Sequence, residues 1–223
     1  MTLYVSLIVE GHSEARGAVE RLLHRIWSEL FVSPMPLRVL PPSRCKRDSF
    51  LNPQHPEFVS KIEEAMLKLG QQLRRDPSGR GVLFVLLDAE ADCPATLGPA
   101  LLAAAKGVRS DADIACVLAK QMFENWIVAG ASALASVNEL PESLPPRPTP
   151  ENGSGASWLD HQLRQRNKGR KYKKTVDAEV FVRAMDLHEC RDNSRSFRKL
   201  LKELETRVPP PPQADPETEG AAE

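Results

Sequence analysis

The 223-residue chain is 41% hydrophobic and 27% charged, a composition typical of a globular protein with one sizeable core. It has no apolar run near the roughly 20 residues that span a bilayer, and its start lacks the basic segment of a secretory signal. Net charge is zero, yet 14 Lys/Arg against 7 Asp/Glu lie between His161 and Arg207, and four acids without a base follow from Val208. We therefore expect a protein without a membrane segment, with a basic C-terminal module and an acidic tail.

The cysteines are widely scattered along the chain. Cys45, Cys93, Cys116 and Cys190 form no Cys-x-x-Cys pair, which disfavours a zinc ribbon and a disulfide framework. Reduced thiols in a cytoplasmic protein are the prediction.

Apolar runs alternate with helical patterns along the first part of the chain. The runs predict strands at Leu3–Val9, Leu37–Leu40, Val82–Leu87 and Ile114–Ala119. Helical spacing predicts helices at Val19–Leu30, Phe58–Leu73, Leu97–Lys106 and Met122–Ala135. The polar segment Pro41–Pro56 is interpreted as a loop. This order predicts an α/β fold, a doubly wound and mainly parallel sheet with helices on both faces.

The domain organisation follows from a change in composition. Residues 1–138 are predicted to form the α/β domain, and the Pro- and Gly-rich residues 139–157 a linker or long loop. Residues 158–207 are predicted to form a basic helical module, with helices at Trp158–Arg166, Val176–Leu187 and Ser194–Glu205. Residues 208–223 are predicted to be a disordered acidic tail.

Carboxylates follow two of the predicted strands directly. Glu10 follows the first strand, and Asp88, Glu90 and Asp92 follow the third. Ligands gather at the carboxyl ends of parallel strands, so these acids would share one crevice if the two strands are neighbours. Crowded carboxylates need a cation, and hard oxygen ligands favour Mg²⁺ or Mn²⁺. The alternative is that Asp88 or Asp92 only caps the next helix.

Two residues after the fourth strand are further candidates. Glu124, near the start of a helix, could reach the same crevice as a metal ligand, or could only interact with the helix dipole while Trp126 packs in the core. Lys120 could neutralise charge on a phosphate in a catalytic site, or could be a solvated surface lysine.

The basic C-terminal segment has two clusters. Seven cations lie between Arg164 and Lys174, interleaved with Tyr172, and a second set follows from Arg195. Such clusters suit contact with a phosphate backbone, independent of base sequence, but they are also found in solvated loops. The residues predicted to bind nucleic acid are Arg170, Lys171, Lys173, Lys174, Arg195 and Arg198.

Several motifs of common enzymes are absent from the sequence. There is no Gly-x-x-x-x-Gly-Lys-Ser/Thr loop, so we expect no hydrolysis of ATP by this chain. It also lacks the Gly-x-Ser-x-Gly and His-Glu-x-x-His motifs, which disfavours serine hydrolases and zinc proteases.

Two stretches resemble the motifs of TOPRIM domains. Val-Glu-Gly-His-Ser-Glu (Val9–Glu14) and Leu-Leu-Asp-Ala-Glu-Ala-Asp (Leu86–Asp92) resemble those of the overcoming-lysogenization-defect nucleases in particular. The chain also resembles an uncharacterised prokaryotic TOPRIM-like family that is often encoded beside an ATPase. That resemblance continues through Phe123–Trp126, Lys171–Lys174 and Arg195–Leu200.

The resemblance implies roles for individual acids. Glu10 would be a metal ligand or general acid/base, and Glu14 the second acid of the nuclease branch. Asp88 and Glu90 would be the paired acids after the third strand, and Asp92 an outer-sphere or second-metal ligand. The sequence departs from the pattern at Glu90, where TOPRIM proteins usually carry Asp.

The resemblance further implies a metal-dependent nuclease that acts on DNA or RNA. It would be the effector of a prokaryotic antiphage defence system and would work with an ATPase partner; a homo-oligomer is left open. Glu90 supports an alternative, a non-catalytic TOPRIM-like subunit that binds the ATPase or nucleic acid. A third interpretation is a nucleotide- or sugar-transferring enzyme with a metal clamp.

Overall fold

The computed structural model describes residues 1–10, 17–147 and 149–210. Glu14, one of the predicted metal ligands, lies outside these ranges, and so do residues 211–223 of the predicted acidic tail.

The sheet is parallel and contains the predicted strands. Its strands are β1 (Leu3–Val9), β2 (Leu37–Val39), β3 (Ser43–Arg44), β4 (Arg80–Asp88) and β5 (Ile114–Ala119). The order is β2-β1-β4-β5, and β3 pairs with the last residues of β1. Because β1 is paired with β4 along the whole length of β1, β2 and β3 follow one another along the other edge of β1.

The helices connect these strands and then continue to the C-terminus. They are α1 (Ala18–Arg25, continued by a π-helical turn at Ile26–Leu30), α2 (Arg47–Phe50), α3 (Pro56–Arg75), α4 (Pro94–Val108), α5 (Glu124–Ala129), α6 (Gly155–Arg166), α7 (Lys174–Ala184), α8 (Leu187–Asn193) and α9 (Arg195–Glu205). Short 3₁₀ turns lie at Ala131–Leu134 and Val137–Glu139. None of the described helices is both long and apolar enough to cross a membrane.

Two hydrophobic layers cover the two faces of the sheet. Side chains alternate along a strand, so Val82, Phe84 and Leu86 of β4 face one layer while its intervening apolar residues face the other. The first layer is completed by α1, α5 and the four C-terminal helices, and the second by α2, α3 and α4. The predicted doubly wound α/β fold is therefore confirmed.

The C-terminal helices belong to the same core as the sheet. The Arg207 guanidinium, after α9, binds Asp113 with Nε at 2.9 Å from Oδ2, and it lies 5.4 Å from the centre of the Phe84 ring. Arg25 Nη1 donates to the carbonyls of Val182 (2.7 Å) and Met185 (2.8 Å) at the end of α7. The basic helical segment predicted at 158–207 is thus packed against the α/β layer, while its domain boundaries stay a prediction.

The segment Pro41–Pro56 is more ordered than the predicted loop. Ser43 and Arg44 pair with Ile8 and Val9, and Phe50 of α2 is fully buried in the second layer. The loop prediction was wrong for these residues because one buried aromatic and two bridging residues are too few to give a periodic pattern.

Helix α5 ends earlier than the predicted Met122–Ala135 helix. At Gly130 the backbone approaches that of Asp186, whose amide donates to the Gly130 carbonyl at 2.9 Å. A Cβ at Gly130 would lie 2.3 Å from the Asp186 carbonyl oxygen, a contact that only glycine avoids.

We expect Gly130→Ala to lower the free energy of unfolding by about 1–3 kcal/mol, because two backbone segments must separate. The matched control is Gly107→Ala in α4, where an added Cβ meets nothing within 4 Å. This control should leave stability unchanged or raise it slightly. Thermal unfolding followed by circular dichroism measures both, and equal melting temperatures would contradict the packing argument.

Candidate functional site

The ends of three neighbouring strands bring the candidate residues to one edge of the sheet. Val9 pairs with Leu86, so Glu10 lies one step beyond the last pair of β1 and β4. Asp88 ends β4 and pairs with Ala119, the last residue of β5. The two acid-bearing strands are therefore neighbours, and their carboxyl ends form one edge, where ligands of open α/β sheets bind.

Glu10 and Asp88 line the same small cavity at this edge, together with apolar residues. The apolar lining consists of Leu86, Leu87, Ala119 and Phe123. The backbone N–H of Phe123 donates to Asp88 Oδ1 at 2.7 Å and fixes the orientation of this carboxylate. The structure thus brings together the first two predicted acids.

Glu124 is a buried carboxylate beside Asp88. It is the first residue of α5, and its side chain is 2% exposed. Its Oε1 accepts a hydrogen bond from the Tyr172 hydroxyl at 3.2 Å and lies 3.4 Å from Lys174 Nζ. The same Nζ lies 3.7 Å from Asp88 Oδ2, so one ammonium group contacts both carboxylates. This compensation matters because a buried charge without a partner is costly.

Lys174 and Tyr172 are the site residues whose contacts the sequence did not reveal. Lys174 was predicted to bind nucleic acid, and its contact with Asp88 and Glu124 joins distant parts of the chain. The sequence carried little signal of this contact, because the predicted helix began at Val176. In the structure Lys174 begins α7, where the helix dipole disfavours a cation unless an acid compensates it.

Close packing holds Glu124 in place. A Cβ on Gly155, at the start of α6, would lie 2.7 Å from the Glu124 carbonyl carbon and 2.6 Å from Asn125 Oδ1. Only glycine allows this approach, which joins the predicted linker to the start of α5.

Glu90 and Asp92 lie in a second group, organised by Arg47. Arg47 Nε donates to the Asp88 carbonyl at 3.0 Å, and its Nη2 forms an ion pair with Asp92. Its Nη1 lies 3.4 Å from Glu90 Oε2. The Glu90 backbone is left-handed (φ 49°), a conformation uncommon outside glycine, and its amide donates to the Gln121 carbonyl at 2.9 Å. These two acids do not line the cavity of Glu10 and Asp88.

Lys120 lines a different and larger groove. Its Nζ lies 3.4 Å from the carbonyl oxygen of Asp92, and Arg195 lines the same groove. The structure therefore separates Lys120 from the cavity of Glu10 and Asp88.

The other predicted nucleic-acid residues have different surroundings. Arg170 Nη2 donates to the fully buried Asp177 at 2.5 Å, and Arg198 Nη1 donates to the carbonyls of Arg191 (2.7 Å) and Asp192 (2.9 Å). The side chains of these two arginines therefore stabilise the fold through internal hydrogen bonds. Lys171 and Lys173 are exposed beside Lys174.

The donor atoms near the cavity are hard oxygens. Within the described ranges, no three His, Cys, Asp or Glu side chains are grouped as a metal site, and Glu14 lies outside those ranges. Cys45 adds no soft ligand, because burial, with the charges of Glu57 and Glu10, raises the pKa of its thiol to about 12. Paired carboxylates such as Asp88 and Glu124 still suit Mg²⁺, which proteins often hold through one or two carboxylates.

Comparisons with known proteins give one family. No curated protein matches the sequence. Among solved structures, the C-terminal region of the Burkholderia pseudomallei OLD protein aligns with 92% of this chain and 98% of its own, at 14% identity and a TM-score of 0.39. The family described as "Domain of unknown function (DUF4276)" matches residues 9–205. Since that match spans most of the sequence, the chain belongs to the DUF4276 family.

Proposed function

We propose that this chain is a metal-dependent nuclease whose reaction centre, here called the acidic centre, consists of Glu10, Asp88 and Glu124. The observation that carries the proposal is that Asp88 and Glu124 both contact one ammonium group, at 3.7 and 3.4 Å. Two carboxylates that contact one ammonium group in this way can bind a metal cation at the same place. Glu10 borders the cavity that Asp88 lines, at the edge of the sheet where ligands bind.

Mg²⁺ or Mn²⁺ is the ion that fits these donors. Both prefer carboxylate oxygen, and Mg²⁺ commonly uses one or two carboxylates together with substrate phosphates and water. When bound, such an ion would supply Lewis-acid polarisation of a phosphodiester and a more acidic water.

The chain's own residues would orient and neutralise the reactants. Lys174 is about one-third exposed, so its ammonium can turn from the carboxylates to a phosphate oxygen. The Phe123 amide fixes Asp88, and the Tyr172 hydroxyl fixes Glu124. Glu10 is the candidate for accepting a proton from the attacking water, in keeping with the motif resemblance.

Nucleic acid is the proposed substrate because cations adjoin the acidic centre. Lys171 and Lys173 are exposed on the segment that carries Lys174, and they would contact phosphates on either side of the reacting one. An ATPase partner and a role in antiphage defence are proposed from the motif resemblance, together with the absence of an ATP-binding loop in the sequence.

A second candidate function is a non-catalytic subunit that binds nucleic acid or the ATPase. The ion pairs of Arg47 with Glu90 and Asp92 favour it, since two motif acids then hold a loop instead of a metal. Cleavage by the partner-activated complex separates the two candidates.

We expect Asp88→Asn and Glu124→Gln to weaken Mn²⁺ binding by at least the roughly 10- to 100-fold that loss of an outer-shell partner costs, because each removes the charge of a direct ligand. Both variants and Glu10→Ala should abolish Mg²⁺- or Mn²⁺-dependent cleavage of plasmid or RNA by the complex. Calorimetric Mn²⁺ titration and gel assays measure the two effects.

The matched control is Asp111→Asn, since Asp111 is exposed and pairs with Arg109 away from the centre. It should bind Mn²⁺ and cleave as the wild type does. Asp92→Asn tests whether the acids that pair with Arg47 are separate from the acidic centre. We expect this variant to keep the Mn²⁺ affinity of the wild type. Unchanged cleavage by Glu10→Ala and Asp88→Asn would rule out the mechanism, and a wild type that never cleaves would favour the binding subunit.

The exposed lysines should contribute to affinity through charge. We expect Lys171→Ala/Lys173→Ala to weaken nucleic-acid binding and to reduce the slope of log K against log salt by about 1.5, roughly 0.7–0.9 for each lost phosphate contact. Fluorescence anisotropy at several salt concentrations measures it. Arg74→Ala/Arg75→Ala, at the end of α3, is the control of equal charge. An equal loss of slope in both variants would show general attraction only.

A further inference from the structure

A groove of about 680 Å³ opens between α4, β5 and α9, and we call it the α4–α9 groove. Its size is typical of small-molecule sites. Its apolar floor includes Gly98, Leu102 and Leu118, and its cations are Lys120, Arg195 and Lys199. None of the residues of the acidic centre lines it.

The charge of the groove favours an anion. Its acidic lining residue, Glu151, already binds the start of α9, where its Oε1 accepts from Ser194 Oγ (2.7 Å) and from the Ser196 amide (2.8 Å). Burial opposes ionisation of Glu151, but the Ser196 hydroxyl and amide prevail, so its pKa is lowered and it stays a carboxylate. Lys199 pairs with Glu203. Lys120 and Arg195 therefore give the groove a net positive charge.

We propose that the α4–α9 groove binds a nucleotide unit, with the base on the apolar floor and the phosphate on Lys120 and Arg195. A ligand that is apolar at one end and anionic at the other matches this division of the lining. Position supports a nucleotide: Ala119 lines the cavity of Glu10 and Asp88, and the next residue, Lys120, lines the groove. The unit is a free nucleotide or one nucleotide of a strand. Binding does not depend on the proposed cleavage.

Cys93 gives the groove a built-in reporter. It is exposed, lines the groove, and precedes the first turn of α4, where the amide of Ala95 and then the side chain of Thr96 lower the pKa of its thiol. The other cysteines are buried, and burial raises the pKa of Cys116, for example, to about 12. Alkylation at neutral pH should therefore select Cys93.

The experiment measures the rate of Cys93 alkylation by iodoacetamide in the full chain, by mass spectrometry. The additions are AMP, the oligonucleotide dT8, adenosine and inorganic phosphate, at equal concentrations. We expect AMP or dT8 to slow alkylation by about fivefold or more, and adenosine and phosphate to have little effect. Protection by AMP identifies a free nucleotide as sufficient, and protection by dT8 alone identifies a strand.

Variants test the assigned contacts. Arg195→Ala should lose the protection, whereas Lys202→Ala, an exposed cation of α9 outside the groove, should keep it. Asp88→Asn should also keep it, which separates this inference from the nuclease proposal. The inference is overturned if neither AMP nor dT8 slows alkylation, if phosphate alone slows it as much as the protecting AMP or dT8 does, or if Arg195→Ala remains protected.

Discussion

The structure depends on how buried carboxylates are compensated at the carboxyl end of the sheet. Glu124 is almost fully buried, Asp88 is mostly buried, and the ammonium of Lys174 contacts both. Charges removed from water need a close partner, so the start of α7 must lie against the ends of β4 and β5. This requirement couples the basic C-terminal helices to the strand ends.

Apolar packing also holds the C-terminal helices against the sheet, over a larger area than these charged contacts. The face of the sheet next to α1 is covered by α5 and the C-terminal helices, so apolar burial holds Lys174 where the charges need it. Arg207 fastens the end of this segment to Asp113 beside β5. Residues from distant parts of a chain keep a fixed relative position when such contacts support each part.

The sequence predicted the strands and helices that a periodic pattern of apolar residues encodes. The bounds of β1 and β5 agree with the predicted strands because both are mostly apolar segments that are buried on both faces. The side-chain directions after β4 were not predictable, since they depend on the left-handed backbone of Glu90 and on Arg47 from a segment interpreted as a loop. The sequence therefore indicated which acids gather at the sheet edge, but not their division into two groups.

One hydroxyl group links the groove to the neighbourhood of the acidic centre. Ser196 Oγ accepts from the Lys120 amide (3.1 Å) and Trp126 Nε1 (2.8 Å), and donates to Glu151 (2.5 Å). Buried networks of this kind tolerate little change, because each lost partner leaves another polar group unsatisfied. Trp126 lies in α5 with Glu124, and Ser196 follows Arg195 at the start of α9. The hydrogen bonds of Ser196 therefore connect the surroundings of the proposed acidic centre with the proposed α4–α9 groove, so the position of one region limits the position of the other.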